Sequence, residues 1–152
     1  MLENQTLYIY PEELGNFTFE VIVSDGELDE IKSITLNIVE YRPIINSVTD
    51  VPNDNGGWVY INFSKSYFDN NEIRNTEIYH IERLTDGDWI SVGSSAAYGS
   101  ENYTVQAMTE IDSSSINLGL TFFRVVASMD EGLWISEIDS GYSINNNNLD
   151  SK

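Results

Sequence analysis

From residue 17 onward, apolar side chains recur at every second position. Phe17, Phe19, Val21 and Val23 share one face of FTFEVIV, with Thr18, Glu20 and Ile22 on the other, the period of a half-buried β-strand. Ser24-Asp25-Gly26 interrupts the run, and beyond the acidic stretch GELDE the alternation resumes at Ile34, Leu36 and Ile38. Residues 17–39 therefore read as an antiparallel hairpin. Leu7 and Ile9 in TLYIY allow a short strand before it, ended by Pro11.

Tyr41-Arg42-Pro43 marks a boundary. Beyond it come IINSVTDV, WVYINF, IYHIERL, WISVG, NYTVQA, TFFRVVA and WISEIDSGYSI, separated by PNDNGG, FDNNEIRN, TDGD, SSAAYGSE and ASMDEG. Seven short strands at this spacing over about a hundred residues indicate an all-β antiparallel sandwich or barrel. MTEIDSSSINLGL, between the fifth and sixth strands, is expected to cross from one sheet to the other. The polar tail NNNNLDSK is expected to be disordered over residues 146–152.

Composition narrows the partners. With 7 Lys+Arg against 25 Asp+Glu the formal net charge is −18, which disfavours nucleic acid and anionic bilayers, both of which select basic surfaces. Hydrophobic residues at 41% and aromatics at 12% suffice for a core. The absence of cysteine removes disulfides, thiolate metal sites and Cys nucleophiles. No apolar run reaches the roughly 18 to 20 residues of a membrane helix, and MLENQTLYIY has no basic stretch followed by an apolar one, so it is not a signal peptide.

Several of these segments resemble a fibronectin type III domain. Tyr79-x-Ile81-x-Arg83 followed by Trp89 looks like the third and fourth strands of that family. Phe123-x-Val125-x-Ala127, a loop ending at Gly132 and Ser136-Glu137 look like its last hairpin. The resemblance implies a seven-stranded immunoglobulin-like sandwich over residues 42–145. Where the family carries an inward Trp on its second strand, this chain offers Phe63, which can fill the same core volume. Residues 1–41 resemble the last strands of a bacterial immunoglobulin-like or cadherin-like repeat, in which Phe-x-Phe-x-Val-x-Val-Ser-Asp-Gly precedes the final strand. Together the two resemblances imply a fragment of a larger secreted or cell-surface protein, with its leader upstream. A hairpin remnant of this kind exposes an apolar face and an unpaired edge, and is expected to dock on a neighbouring domain or to form a homodimer through its strands.

Candidate chemistry is sparse. His80, the single histidine, lies within a strand, and no nucleophile-elbow sequence accompanies it. Carboxylates are so abundant that pairs at glycosidase spacing carry no information. Asp50, Asn53, Asp54 and Asn55 resemble the calcium linker of cadherins, with oxygen ligands suited to a hard cation. The spacing is one residue too long, and the segment falls inside a domain rather than between two, so a Gly/Asn turn with positive φ at Gly56 or Gly57 is the preferred reading. Asp25, Glu27, Asp29 and Glu30 form a second acidic group at the hairpin tip, read as edge protection or as ligands of an interdomain ion. Among the aromatics, Trp58, Trp89 and Trp134 lie near strand starts, where packing competes with sugar stacking. Tyr67, Phe68 and Tyr98 lie in expected loops and are the freer ligand-binding candidates. Four N-glycosylation patterns begin at Asn4, Asn16, Asn62 and Asn102, as chance supplies in an Asn-rich chain.

The expected function is a non-catalytic extracellular module, a structural spacer or an adhesion and protein-interaction unit whose partners are neighbouring domains and a protein or glycan ligand. The alternative is a carbohydrate-binding accessory module of an extracellular enzyme. No catalytic residue and no cofactor other than the calcium candidate is expected.

Overall fold

The computed structural model describes Ile9, residues 13–70 and residues 76–148. The strand expected around Leu7 lies outside them except for Ile9, which is exposed and in no strand. Contacts divide the chain into two units, Met1–Glu40 and Tyr41–Lys152.

In the first unit, β1 (Gly15–Ser24) pairs antiparallel with β2 (Asp29–Ile38) in unbroken register. The turn is closed by Asp25, whose Oδ1 accepts the backbone N–H groups of Leu28 at 2.8 Å and Glu27 at 2.9 Å. Those two bonds hold its carboxyl below the ordinary aspartate range. Phe17 lies opposite Leu36 and Phe19 opposite Ile34, so period two collects these apolar side chains on one face. On the other face, the hydroxyls of Thr18 and Thr35 bond at 2.9 Å. Two strands cannot bury such a face by themselves, and Phe17 is 40% exposed.

The second unit contains β3 (Ile44–Asp50), β4 (Trp58–Ser64), β5 (Ile78–Thr85), β6 (Asp88–Ala96), β7 (Asn102–Met108), β8 (Thr121–Met129), β9 (Gly132–Ile135) and β10 (Asp139–Gly141). All pairings are antiparallel. One sheet has the order β3-β4-β7 and the other β10-β8-β5-β6, with β9 also on β8. Alternation turns Val59, Ile61 and Phe63 of β4, and Tyr103, Val105 and Ala107 of β7, toward Tyr79, Ile81, Phe123, Val125 and Ala127 of the second sheet. These residues form one buried cluster. Phe63 sits at its centre, 4.9 Å from the Tyr79 ring and stacked on Tyr103 at 5.3 Å. The connection between β7 and β8 crosses from one sheet to the other, as the pattern indicated.

Glycine permits close approach at both edges of this body. A Cβ at Gly141 of β10 would come within 2.4 Å of Val48 Cγ1 on β3, and one at Gly93 of β6 within 3.0 Å of the Gln106 carbonyl on β7. At Gly141 a side chain would force the strands apart, and at Gly93 it would press on the neighbouring carbonyl.

Two details differ from the sequence pattern. Among the described residues the body shows eight strands, because the last of the seven expected strands is divided into β9 and β10. Ser136 Oγ accepts the Val125 N–H at 2.9 Å and donates to the Glu137 carbonyl at 2.7 Å, displacing the backbone group that would continue the ladder. Between the pairs Val126↔Ile135 and Phe123↔Asp139, two residues of β8 then face three of the other strand, the count of a bulge. The second difference concerns the expected disordered tail. Asn146–Asn148 form a 3-10 turn, with Asn146 and Asn147 hydrogen-bonded to the β3–β4 segment; residues 149–152 lie outside the described ones.

Candidate functional site

The segment carrying Asp50, Asn53, Asp54 and Asn55 lies at the end of the body where β3 stops and β4 begins. It is a turn of the expected kind, with positive φ at Asn53, Gly56 and Gly57. Its oxygens face separate partners. Asp50 Oδ1 accepts the Ile144 N–H at 2.7 Å and its Oδ2 accepts Asn146 Nδ2 at 2.9 Å. Asp54 Oδ1 accepts the Gly56 N–H at 2.8 Å, and Asn55 Oδ1 accepts Asn147 Nδ2 at 2.7 Å. The turn is held from outside by Asp112 on the crossing connection, whose Oδ1 accepts the Gly57 N–H and the Ser143 hydroxyl, each at 2.6 Å. Asp54 Oδ2 is a buried oxygen with no protein partner. One such oxygen is far from the about six to eight that calcium takes. Among the described residues no group of three or more His, Cys, Asp or Glu is placed to hold a metal ion.

Tyr67 and Phe68 are brought together with Tyr41 and Trp134. Phe68 stacks on Tyr41 at 5.3 Å and on Trp134 at 5.0 Å, and Tyr67 stands edge-on to Tyr41 and to Phe68. Rings that cover one another's faces do not offer a shared plane to a ligand. Tyr98 is 64% exposed and stands apart from this group, edge-on to Tyr103 at 4.8 Å. Trp89 is covered by the Arg124 guanidinium 4.2 Å above its ring, and Arg124 pairs with Glu82 at 2.7 Å. His80 is half-buried on the same sheet, opposite Ser94 and Val126.

A buried carboxylate at the opposite end of the body went unnoticed in the sequence. Asp69 is 1% exposed. Its Oδ2 accepts the hydroxyls of Tyr79, at 2.9 Å, and Tyr103, while Oδ1 accepts the Gly99 N–H at 2.7 Å. The Tyr79 hydroxyl in turn accepts the Ser66 N–H, and that of Tyr103 accepts those of Tyr98 and Ser100. Burial pushes both phenols up, assisted by the Asp69 carboxylate they bond. For Tyr103 the value reaches about 12, against an ordinary 10.0, and Tyr79 is also raised. This network ties the loop after β4 to the loop before β7, and thereby positions both the aromatic group and Tyr98.

The outward face of the β3-β4-β7 sheet is also a feature the sequence reading missed, because it exists only once three strands are in register. In one row Ser47, Asn62 and Thr104 are joined, Asn62 Nδ2 donating to Ser47 Oγ at 3.1 Å and Thr104 Oγ1 to Asn62 Oδ1 at 2.6 Å. In the next, Asn46, Ser64 and Asn102 bond one another. The third row is Thr49, Tyr60 and Gln106 in direct register, and none of these side chains has a hydrogen-bond partner among the described residues. Trp58 follows Tyr60 on the same face, opposite Met108. Not one of these residues is charged. No known protein-family pattern matches the chain, and no curated protein matches it.

Proposed function

We propose that residues 42–145 are a fibronectin type III-like sandwich and that the protein is a non-catalytic module, a spacer and adhesion unit of a larger secreted or surface protein. The partition of strands supports this. Counted from β3, the first, second and fifth strands make one sheet and the third, fourth and sixth, with the two pieces of the divided last strand, β9 and β10, make the other, the division of an immunoglobulin-like sandwich with its fourth strand beside the third. Residues 1–41 are proposed as the closing strands of a preceding repeat, whose other strands would cover the apolar face of β1 and β2.

The observation that carries the functional reading is where the carboxylates point. At one end Asp50, Asp54 and Asp112, and at the other Asp69, accept the body's own amide and hydroxyl protons. The Asp54 bond closes its own turn, while those of Asp50, Asp112 and Asp69 fasten loops and the tail to the sheets, which is what a spacer under tension requires. Pulling single molecules of the full chain from its ends tests the proposal. A body that bears load as one unit gives a single principal rupture releasing about 320–350 Å of chain, from about 3.3–3.6 Å per residue less the folded span. Release in several small steps would contradict it.

A further inference from the structure

The outward face of the three-stranded sheet combines three properties. It carries no charge, although the chain as a whole has a net charge of −18. It is a regular array, since side chains repeat about every 6.6–6.8 Å along a strand and about every 4.7–4.9 Å between strands. And its rows are unequal, because two are closed by their own side-chain hydrogen bonds while the row of Thr49, Tyr60 and Gln106 is open. Tyr60 and Trp58 add two half-buried aromatic rings along one strand, and no ring contact covers either among the described residues.

We infer that this open row and the adjoining Trp58 bind an uncharged polysaccharide chain. The inference rests on the adhesion side of the proposed function and supplies its partner class. The Gln106 amide, the Tyr60 phenol and the Thr49 hydroxyl each donate and accept, the complement of sugar hydroxyls. The faces of Trp58 and Tyr60 present the negative side of their quadrupoles to the carbon-bound hydrogens of a pyranose. Charge selects among partners. An anionic polymer is repelled by the molecule as a whole, a second copy of the chain meets the same repulsion, and a cationic partner is drawn to the acidic surfaces instead of a neutral one. The closed rows beside the site keep their hydrogen bonds when a flat chain lies across them, so covering them strands no donor.

Affinity electrophoresis of the full chain, through gels containing hydroxyethylcellulose, xyloglucan, galactomannan or soluble starch, tests this, with polygalacturonate and chitosan as charged controls. At least one neutral polymer should retard the protein. Gln106→Glu, an exposed substitution that adds a charge to the row, and Tyr60→Ala should each weaken that retention about tenfold, the scale of one ring or one bonded amide. Tyr67→Ala and Tyr98→Ala should leave it unchanged. Thermal melts identify any variant that fails to fold, and Gln106→Glu alone decides the matter if Tyr60→Ala does. Absence of retention by every neutral polymer, retention by a charged control alone, or neutral retention that survives Gln106→Glu would overturn the inference. The single-rupture test stands apart from these outcomes, because a spacer without this ligand would still unfold as one unit.

Discussion

The hairpin of β1 and β2 and the two-sheet body that follows it are written in the same alternating pattern, yet the pattern has different consequences in the two regions. Phe17 in the hairpin is 40% exposed, whereas Phe63 in the body is fully buried. Both sit on the apolar face of an antiparallel strand, and both have aliphatic or aromatic neighbours across it. What separates them is the second layer: β5 and β8 carry a complementary apolar face onto β4 and β7, whereas among the described residues β1 and β2 form a sheet of two strands with no second sheet of their own unit. Alternation in a sequence thus reports that a strand forms and which side is apolar. Whether that side is buried depends on partners elsewhere in the chain.

The contrast is sharpest at matched aromatic positions. Phe63→Ala should destabilise the body by about 3–5 kcal/mol, the cost of removing a large side chain from a closed core, measured by urea denaturation followed through tryptophan fluorescence. Asp69→Ala should cost about 2–4 kcal/mol, since it leaves two phenols and the Gly99 amide buried without their acceptor. Alkaline pH should weaken the body in the same place. The folded state holds the Tyr79 and Tyr103 protons more tightly than the unfolded chain does. Their contribution is therefore complete below about pH 10 and declines as pH rises toward about 12. Urea midpoints between pH 9 and 12 would show this, and Tyr103→Phe should flatten part of the decline. The smallest effect belongs to the hairpin, where Phe19→Ala should change the stability of the body by less than about 0.5 kcal/mol. A loss of several kcal/mol there would remove the distinction between the two regions.

Much of the body was legible because its determinants are local. The apolar positions of WVYINF and NYTVQA became the inward residues of β4 and β7, and the boundary read at Tyr41-Arg42-Pro43 falls next to the division after Glu40. The division of the last strand was not legible, since it depends on one hydroxyl, that of Ser136, reaching a backbone amide on β8. The same holds for Asp69 and Asp112. Each is one acid among many in the sequence, and each is singled out only by partners 10 to 34 and 31 to 55 residues away. The open row of Thr49, Tyr60 and Gln106 is the extreme case, as its three members lie on three strands and look like ordinary outward positions until the register places them side by side.

Native-state hydrogen exchange of the full chain tests the central claim most directly, because it reads each region's stability separately in one sample. The paired amides of β4, β5, β7 and β8 should exchange last, through global opening of the shared core, while those of β1 and β2 exchange orders of magnitude faster through local opening of a two-stranded sheet. Equal protection in β1 and β4 would contradict the account, for it would mean that the hairpin's apolar face is buried as firmly as the core around Phe63.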